Sequence, residues 1–238
     1  METTALGFKC LTGLSRYLFV FPPRAICPSW CHSKGLAREE PTDIYTDGLC
    51  LVVRELKVVA IAGSLRHESY NRKLLQIAKK LASELGASVE EVDLKQLALP
   101  IYDADIEAQG LPVSAQQLKA TIEKADVLLI ATPEYNYSVT GALKNAIDWL
   151  SRGRNSLDGK VAAIFGASTS ILGTVHSQIH LRVILERLNV IVVPQPQIFV
   201  RSADQAFAPD GSLKDAMATQ LLRDLIRNAL ELAGKLKE

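Results

Sequence analysis

The chain has 238 residues, of which 48% are hydrophobic, and its 27 Lys and Arg residues against 26 Asp and Glu residues give a formal net charge of +1. This length suits one domain with an extension, and the hydrophobic content suffices for a sizeable core. The near-zero charge argues against a surface that binds polyanions, so we expect no nucleic-acid partner.

Residues 1–55 differ in composition from the rest of the chain. No acidic residue occurs between Thr3 and Arg38, and the apolar run 17–21 falls far short of the roughly 20 residues that span a membrane. We expect no membrane partner and interpret 1–55 as an extension: a targeting (transit) segment, an unstructured segment, or translation from a start codon placed too early. The expected location is cytoplasmic, or a mitochondrion or plastid if 1–50 is a transit peptide.

The four cysteines lie at positions 10, 27, 31 and 50, all within this extension. The domain that follows therefore has no thiol, which is typical of an intracellular protein and argues against a disulfide scaffold. Cys27 and Cys31 with the adjacent His32 resemble half of a metal site. Because no second ligand pair follows downstream, we expect no metal.

From residue 56 onward, apolar β-branched runs alternate with amphipathic helical patterns. The predicted strands cover 57–62, 88–93, 126–131, 160–165 and 190–193. The predicted helices cover 72–85, 114–124, 142–150, a segment ending at 188, and 212–236, and 95–112 is predicted to be a long loop. This alternation predicts an α/β fold with a parallel sheet between helices on both faces.

In such a sheet, ligands bind beyond the carboxyl ends of the strands. The loops at 63–71, 132–140 and 166–173 leave the three most apolar strands there, and we interpret them as the ligand-binding segments.

The first loop has a single glycine, Gly63, so it lacks both the GxGxxG dinucleotide motif and the GxxxxGK[ST] phosphate loop. It combines four polar side chains, Ser64, Arg66, Ser69 and Asn71, with the start of a helix. Hydroxyl, amide and guanidinium donors beside a helix N-terminus favour an anion, and this set suits a phosphomonoester without a metal. The alternative is that Ser69 and Asn71 only cap the helix.

The second loop places Tyr135 and Tyr137 on either side of Asn136, which suits a flat conjugated ligand whose edge bonds to the backbone. The alternative is that the tyrosines only pack beneath the loop. The third loop adds small and hydroxyl residues, among them Ser168. A phosphate at one end and a flat ring at the other favour flavin mononucleotide (FMN) over an adenine nucleotide, because no acidic residue is placed for a ribose hydroxyl.

Three segments resemble the NADPH-dependent FMN reductase family of flavodoxin-like proteins, which includes quinone, chromate and azo reductases. They read GSLRHESYN (63–71), PEYNYSVTGALKNAIDW (133–149) and GASTSILG (166–173). The resemblance implies a domain at 56–238 with the flavodoxin-like three-layer sandwich and a five-stranded parallel sheet of order 2-1-3-4-5. It also implies a homodimer or homotetramer.

The resemblance further implies that FMN is the cofactor and NADPH or NADH the co-substrate. Hydride would pass through flavin N5 to a small-molecule acceptor (a quinone, chromate, an azo compound or free flavin), with no catalytic side chain. The implied phosphate ligands are Ser64, Arg66, Ser69 and Asn71. The implied ring contacts are Pro133, Glu134, Tyr135, Asn136, Tyr137 and Ser168.

This chain departs from the family pattern at three positions. The family often has proline at Thr140, glycine at Ser170 and arginine at His176. We expect Thr140 to matter little because it begins a helix. His176 and His180 are spaced like the histidines of HExxH, but Ser177 replaces the glutamate, so we expect loop packing or solvation of the imidazoles and no metal.

Two other functions share this fold and cofactor. A flavodoxin-type electron carrier would not oxidise NAD(P)H directly, and such carriers tend to be more acidic than this chain. A flavin-dependent sensor would bind FMN but show negligible turnover.

Overall fold

The computed structural model describes residues 43–46, 49–52 and 55–237. They fall into two units, divided after residue 54, and each is described by itself. In the first unit, β1 (Asp43–Thr46) and β2 (Leu49–Val52) pair as antiparallel strands. The rest of the predicted extension, including the cysteines at 27 and 31 and the run 17–21, lies outside the described residues.

The second unit contains one parallel sheet. Its strands are β3 (Lys57–Ala62), β4 (Ser88–Val92), β5 (Val127–Ala131), β6 (Val161–Ala167), β7 (Ile191–Val192) and β8 (Ile198–Val200). The order is β4-β3-β5-β6, with β7 and β8 both paired to the outer edge of β6. Counted from β3, this confirms the predicted order 2-1-3-4-5.

The fifth position of the sheet is shared by two short strands, where the sequence predicts one strand at 190–193. β7 pairs with the start of β6 and β8 with its end. Pro194 and Pro196 lie between them and have no N–H group to continue the ladder. Helix side chains bond the interrupted strand instead: Gln178 donates to the Ile198 carbonyl at 2.8 Å and Arg182 to the Val193 carbonyl at 3.1 Å.

Eight helices are described in this unit. They are α1 (Tyr70–Glu84), α2 (Leu94–Leu97), α3 (Ala104–Ala108), α4 (Val113–Lys124), α5 (Gly141–Leu150), α6 (Val175–Arg187), α7 (Ala203–Ala206) and α8 (Ala216–Lys235). The five long helices agree with the prediction, although the last begins at 216 and not at 212. The predicted loop 95–112 contains α3 and most of α2, each begun by an aspartate N-cap, Asp93 or Asp103.

The helices form layers on both faces of the sheet, because neighbouring strand residues point to opposite faces. Val58 and Ala60 belong to the core that includes α1 and α8, whereas Val59 and Ile61 belong to the core that includes α4, α5 and α6. Among the described residues, none of the helices combines the length and apolar character needed to cross a bilayer.

Buried polar side chains fix α5, the helix that follows the second loop. Lys119 donates to the carbonyls of Leu150, Arg152 and Arg154 at 3.1, 2.9 and 2.7 Å, which ties down the end of α5. Burial lowers the pKa of the Lys119 ammonium group. On another side of α5, the Trp149 indole donates to the Pro100 carbonyl at 2.8 Å. Helix α5 therefore anchors the chain around residue 100.

Candidate functional site

The three loops predicted to bind a ligand follow the carboxyl ends of three neighbouring parallel strands, β3, β5 and β6. Backbone bonds continue the ladder just past the strands: the Gly63 N–H donates to Ala131 at 2.9 Å, and the Thr132 N–H donates to Phe165 at 2.8 Å. The loops after β3, β5 and β6 therefore begin side by side, as the parallel topology predicts.

Thr140 connects the first and second loops. Its hydroxyl donates to the Gly63 carbonyl at 2.6 Å and accepts from the Leu143 N–H at 3.3 Å as the N-cap of α5. A Cβ on Gly63 would lie 3.1 Å from Pro133 Cδ, so the missing side chain allows this close approach. Thr140 does begin a helix, as expected, but its bond to Gly63 was not foreseen, and a proline at 140 would have no hydroxyl to make it.

Asn71 connects the start of α1, after the first loop, to the end of β6, directly before the third loop. Its amide nitrogen donates to the Ala167 carbonyl at 2.8 Å, and its oxygen accepts from the Ala167 N–H at 2.9 Å. The side chain is buried and is not an N-cap of α1, so it differs from Ser69 in role. It joins the start of α1 to the end of β6.

Ser64 and Ser69 provide two buried hydroxyls at the start of α1. The Ser64 hydroxyl accepts from the Arg66 N–H at 3.3 Å, and the Ser69 hydroxyl accepts from the N–H groups of Asn71 and Arg72 at 3.2 and 3.5 Å. Ser69 is thus an N-cap, as one of the two sequence interpretations held. Each hydroxyl also has one hydrogen to donate, and neither hydroxyl donates a hydrogen bond within the described part of the chain. Because buried donors are normally satisfied, this arrangement fits an acceptor such as a phosphate oxygen.

Arg66 places a positive charge in the same loop as these hydroxyls. Its guanidinium lies 5.4 Å from the centre of the Tyr70 ring and donates to the Glu68 carbonyl at 2.7 Å. The Tyr70 ring is in turn stacked on Phe207, with centroids 5.8 Å apart. The side chain of Arg66 is exposed, and its remaining N–H groups are available to an anion.

The second loop forms a two-residue hairpin at its tip. Tyr135 and Ser138 exchange backbone hydrogen bonds of 3.1 Å, and both turn residues have positive φ, +50° at Asn136 and +61° at Tyr137. Positive φ at both positions is the signature of a type I′ turn. Tyr135 and Tyr137 are 53% and 63% exposed, which does not agree with the alternative that they only pack beneath the loop.

Glu134 points its carboxylate toward α6. Oε2 accepts from the Ser177 N–H at 3.0 Å, and Oε1 lies 3.3 Å from His176 Nδ1. The buried hydroxyl of Ser177 also donates to the Pro133 carbonyl at 2.9 Å and lies 2.7 Å from the Thr132 hydroxyl. The second loop is therefore bonded to the first turn of α6, and a ring contact at residue 134 would come from its backbone.

Strand β6 continues to Ala167, so the third loop begins at Ser168 and not at 166 as the sequence predicts. The backbone of Ser168 donates to Val200 and accepts from Ala203, each at 3.0 Å. Its half-buried hydroxyl accepts from the Ser170 N–H at 3.2 Å. These bonds hold Ser168 at the carboxyl end of β6, on the side of the sheet where the other two loops begin.

Gly166, two residues earlier in β6, has no room for a side chain. A Cβ there would lie 2.3 Å from both the Thr132 carbonyl oxygen and the Thr174 hydroxyl oxygen. The absence of a side chain at 166 therefore lets β5, β6 and the start of α6 approach one another closely.

Sequence reasoning missed several residues that shape this site. For Thr140 the sequence indicated the start of a helix but not the bond to Gly63, which lies 77 residues away in the chain. Ser177 and Phe207 carry no such local signal, because their partners lie more than forty residues away in the chain.

Comparisons with known proteins agree with this geometry. A model of the family described as NADPH-dependent FMN reductase matches residues 56–205. An NAD(P)H-dependent FMN reductase of Pseudomonas aeruginosa is 43% identical over 179 residues, which cover 75% of this chain and 95% of the relative. An NAD(P)H:quinone oxidoreductase of Solanum tuberosum is 40% identical over 187 residues, which cover 76% and 95%.

The fold also matches a solved structure of a flavoenzyme. FerB, an NAD(P)H:(acceptor) oxidoreductase from Paracoccus denitrificans, superimposes with a TM-score of 0.68 and 33% sequence identity, covering 76% of this chain and 98% of FerB.

Proposed function

The chain belongs to the NADPH-dependent FMN reductase family, and on that basis we propose that it is an FMN-dependent oxidoreductase that passes electrons from NAD(P)H to quinones or similar small acceptors. Chromate, azo compounds and free flavin are further acceptors of the same kind. The proposal depends most on the buried hydroxyls of Ser64 and Ser69, which accept hydrogen bonds but donate none within the described residues. They follow β3, and the hairpin with the exposed tyrosines follows the adjacent strand β5.

We assign the FMN phosphate to the first loop. Ser64 and Ser69 would donate their hydroxyl hydrogens to it, and the exposed Arg66 guanidinium would supply further N–H donors. Asn71 supports the phosphate by holding the loop to Ala167. Hydrogen bonds to a charged group contribute about 1.5–3 kcal/mol each, so these donors and the α1 N-terminus suffice without a metal.

We assign the flavin ring to the second and third loops. Its contacts are Pro133, Glu134, Tyr135, Asn136, Tyr137 and Ser168. The N–H groups of Tyr135 and Ser138 bond within the hairpin, which leaves the N–H groups of the turn residues for the edge of the ring. The exposed tyrosine rings provide an apolar border for a flat ligand.

When bound, FMN supplies the hydride chemistry at its N5 atom, between NAD(P)H and the acceptor. The residues of this chain bind and orient the reactants, and no side chain acts as an acid or a base. The backbone N–H groups at the hairpin turn would stabilise negative charge that develops on the ring. The Glu134 carboxylate accepts from the Ser177 N–H in the first turn of α6, so we assign it a role in holding the second loop.

The proposal predicts a yellow protein whose flavin absorption bleaches when NADPH is added without oxygen. Adding a quinone should restore the absorption and allow continued NADPH oxidation. A flavodoxin-type carrier would stay yellow with NADPH alone, and a sensor would bleach without turnover on any acceptor. A colourless protein that cannot be reconstituted with FMN would contradict the proposal.

We also propose that the chain forms a homodimer or homotetramer through α6. Ile179 and Val183 lie one turn apart on this helix and are 53% and 63% exposed, and Ile171 in the preceding loop is 76% exposed. Exposed apolar side chains one turn apart on a helix face are the kind of surface that a second copy would bury. Light scattering of the wild-type protein should give two or four times the mass of one chain. The double variant Ile179→Glu with Val183→Glu should have the mass of a single chain. A wild-type monomer would contradict this assignment.

For the location of the protein we propose the cytoplasm, because NAD(P)H is an intracellular reductant and the domain from residue 56 onward contains no cysteine. A mitochondrion or plastid is the alternative if residues 1–50 act as a transit peptide. Imaging a C-terminal fluorescent fusion, with and without those residues, separates the two locations.

A further inference from the structure

The hairpin tip of the second loop adopts a backbone conformation that its sequence does not favour. Type I′ turns prefer Asn-Gly because both residues need positive φ. Asn136 at +50° meets this preference, but Tyr137 at +61° does not, since a bulky side chain is rarely found in the left-handed region. Something other than local preference must hold Tyr137 in place.

Two histidines of α6 contact this tip. The rings of His176 and Tyr137 meet edge to face, with centroids 4.7 Å apart and an interplanar angle of 69°. His180 Nδ1 lies 3.0 Å from the Ser138 hydroxyl. Because residues four apart share one face of a helix, the two imidazoles contact consecutive residues of the hairpin.

The helix that carries these histidines is itself held firmly. Its Ser177 N–H donates to the Glu134 carboxylate at 3.0 Å, and the buried Ser177 hydroxyl bonds to the residues at the end of β5. His176 Nδ1 also lies 3.3 Å from Glu134 Oε1. The two histidines therefore lie on a helix that is bonded, through Ser177, to the residues between β5 and the hairpin.

We propose that His176 and His180 are positioning residues that hold the Asn136–Tyr137 turn in its left-handed conformation and so set the shape of the surface that receives the flavin ring. The link to the ring rests on the proposed function, whereas the hold on the turn does not. Neither histidine touches the reacting atoms in this assignment.

The hold on the turn is tested without flavin, by hydrogen exchange of the Tyr135 and Ser138 amides. Replacing both histidines by alanine should open the turn more often and speed exchange at these amides about tenfold. A tenfold rise in the population of the open turn corresponds to about 1.4 kcal/mol. Glu186→Ala, on an exposed part of the same helix, is the matched control and should leave exchange unchanged. Unchanged exchange in the double-histidine variant would overturn the proposal.

A glycine at 137 provides the second arm of this test. Glycine adopts positive φ without steric cost, so Tyr137→Gly should keep the turn closed whether or not the histidines are present. In that background the two histidine replacements should change exchange less than about twofold. A full tenfold change there would show that the histidines act on something other than the conformation of residue 137.

The effect on the ligand is tested with FMN and with riboflavin, which lacks the phosphate. The double-histidine variant should bind both more weakly, by the same factor, because only the ring end of the site changes. Weakening of FMN alone would overturn the assignment to the ring. A wild-type chain that binds neither flavin would contradict the proposed function, and the exchange result would still decide whether the histidines hold the turn.

Discussion

Replacing Arg66 and Ser69 together by alanine is expected to weaken FMN binding by about 10²- to 10⁴-fold, because two hydrogen bonds to a charged group contribute about 1.5–3 kcal/mol each. Binding is measured by titrating the flavin and following its fluorescence. Riboflavin affinity should change little, so the preference for FMN over riboflavin should collapse. Retention of flavin by the variant through purification would contradict the phosphate assignment.

The control for this variant removes a lysine and a serine from α1, away from the first loop. Lys80→Ala with Ser83→Ala deletes one positive charge and one hydroxyl at exposed positions of the helix, and it should bind FMN like the wild type. Equal losses in the two double variants would indicate a general effect of charge or helix stability.

Ser69→Asp separates capping from phosphate binding. Aspartate is as good an N-cap as serine, so the stability of α1 should be maintained. Its carboxylate would repel the phosphate, so FMN binding should be lost. Wild-type FMN affinity in this variant would mean that Ser69 acts only as the cap observed in the structure.

Gly166→Ala is expected to lower the free energy of unfolding by about 3 kcal/mol, at the upper end of typical overpacking costs. The new methyl group would lie 2.3 Å from the Thr132 carbonyl oxygen, and backbone in the middle of the sheet cannot move away without loss of hydrogen bonds. Urea denaturation of the variant measures the change. Because β5, β6 and α6 meet at this residue, FMN affinity should fall as well.

Gly141→Ala is the control for this substitution. A Cβ at Gly141 would meet no atom within 4 Å, and the residue begins a helix, where alanine is favourable. Its stability should equal or exceed that of the wild type. An unfolding midpoint of Gly166→Ala equal to that of the wild type would refute the steric argument.

Local patterns were sufficient to predict most of the fold. The apolar runs that became β3, β5 and β6 and the amphipathic repeats of α1 and α8 each predicted an element correctly, because burial on both faces or on one face leaves a periodic signal. The split between β7 and β8 was missed, since a three-residue strand after two prolines has too little sequence to show a period.

The site was predictable in position but less so in its connections. Parallel topology places the three loops together, and their polar and aromatic residues indicate the kind of ligand. The bond between Asn71 and Ala167 joins residues 96 apart in the chain, and the stack of Tyr70 on Phe207 joins residues still farther apart. No local pattern encodes such pairs, so the part Asn71 plays in fixing the third loop became visible only in three dimensions.

The side-chain bonds between the loops limit how this enzyme can be redesigned. Three hydrogen bonds join segments that are distant in sequence: Thr140 to Gly63, Asn71 to Ala167, and Glu134 to Ser177. A segment transplanted alone would keep these bonds only if the recipient chain had the matching partner atoms at these positions. Chimeras that aim at new electron acceptors should therefore exchange all three segments at once, together with the first turn of α6.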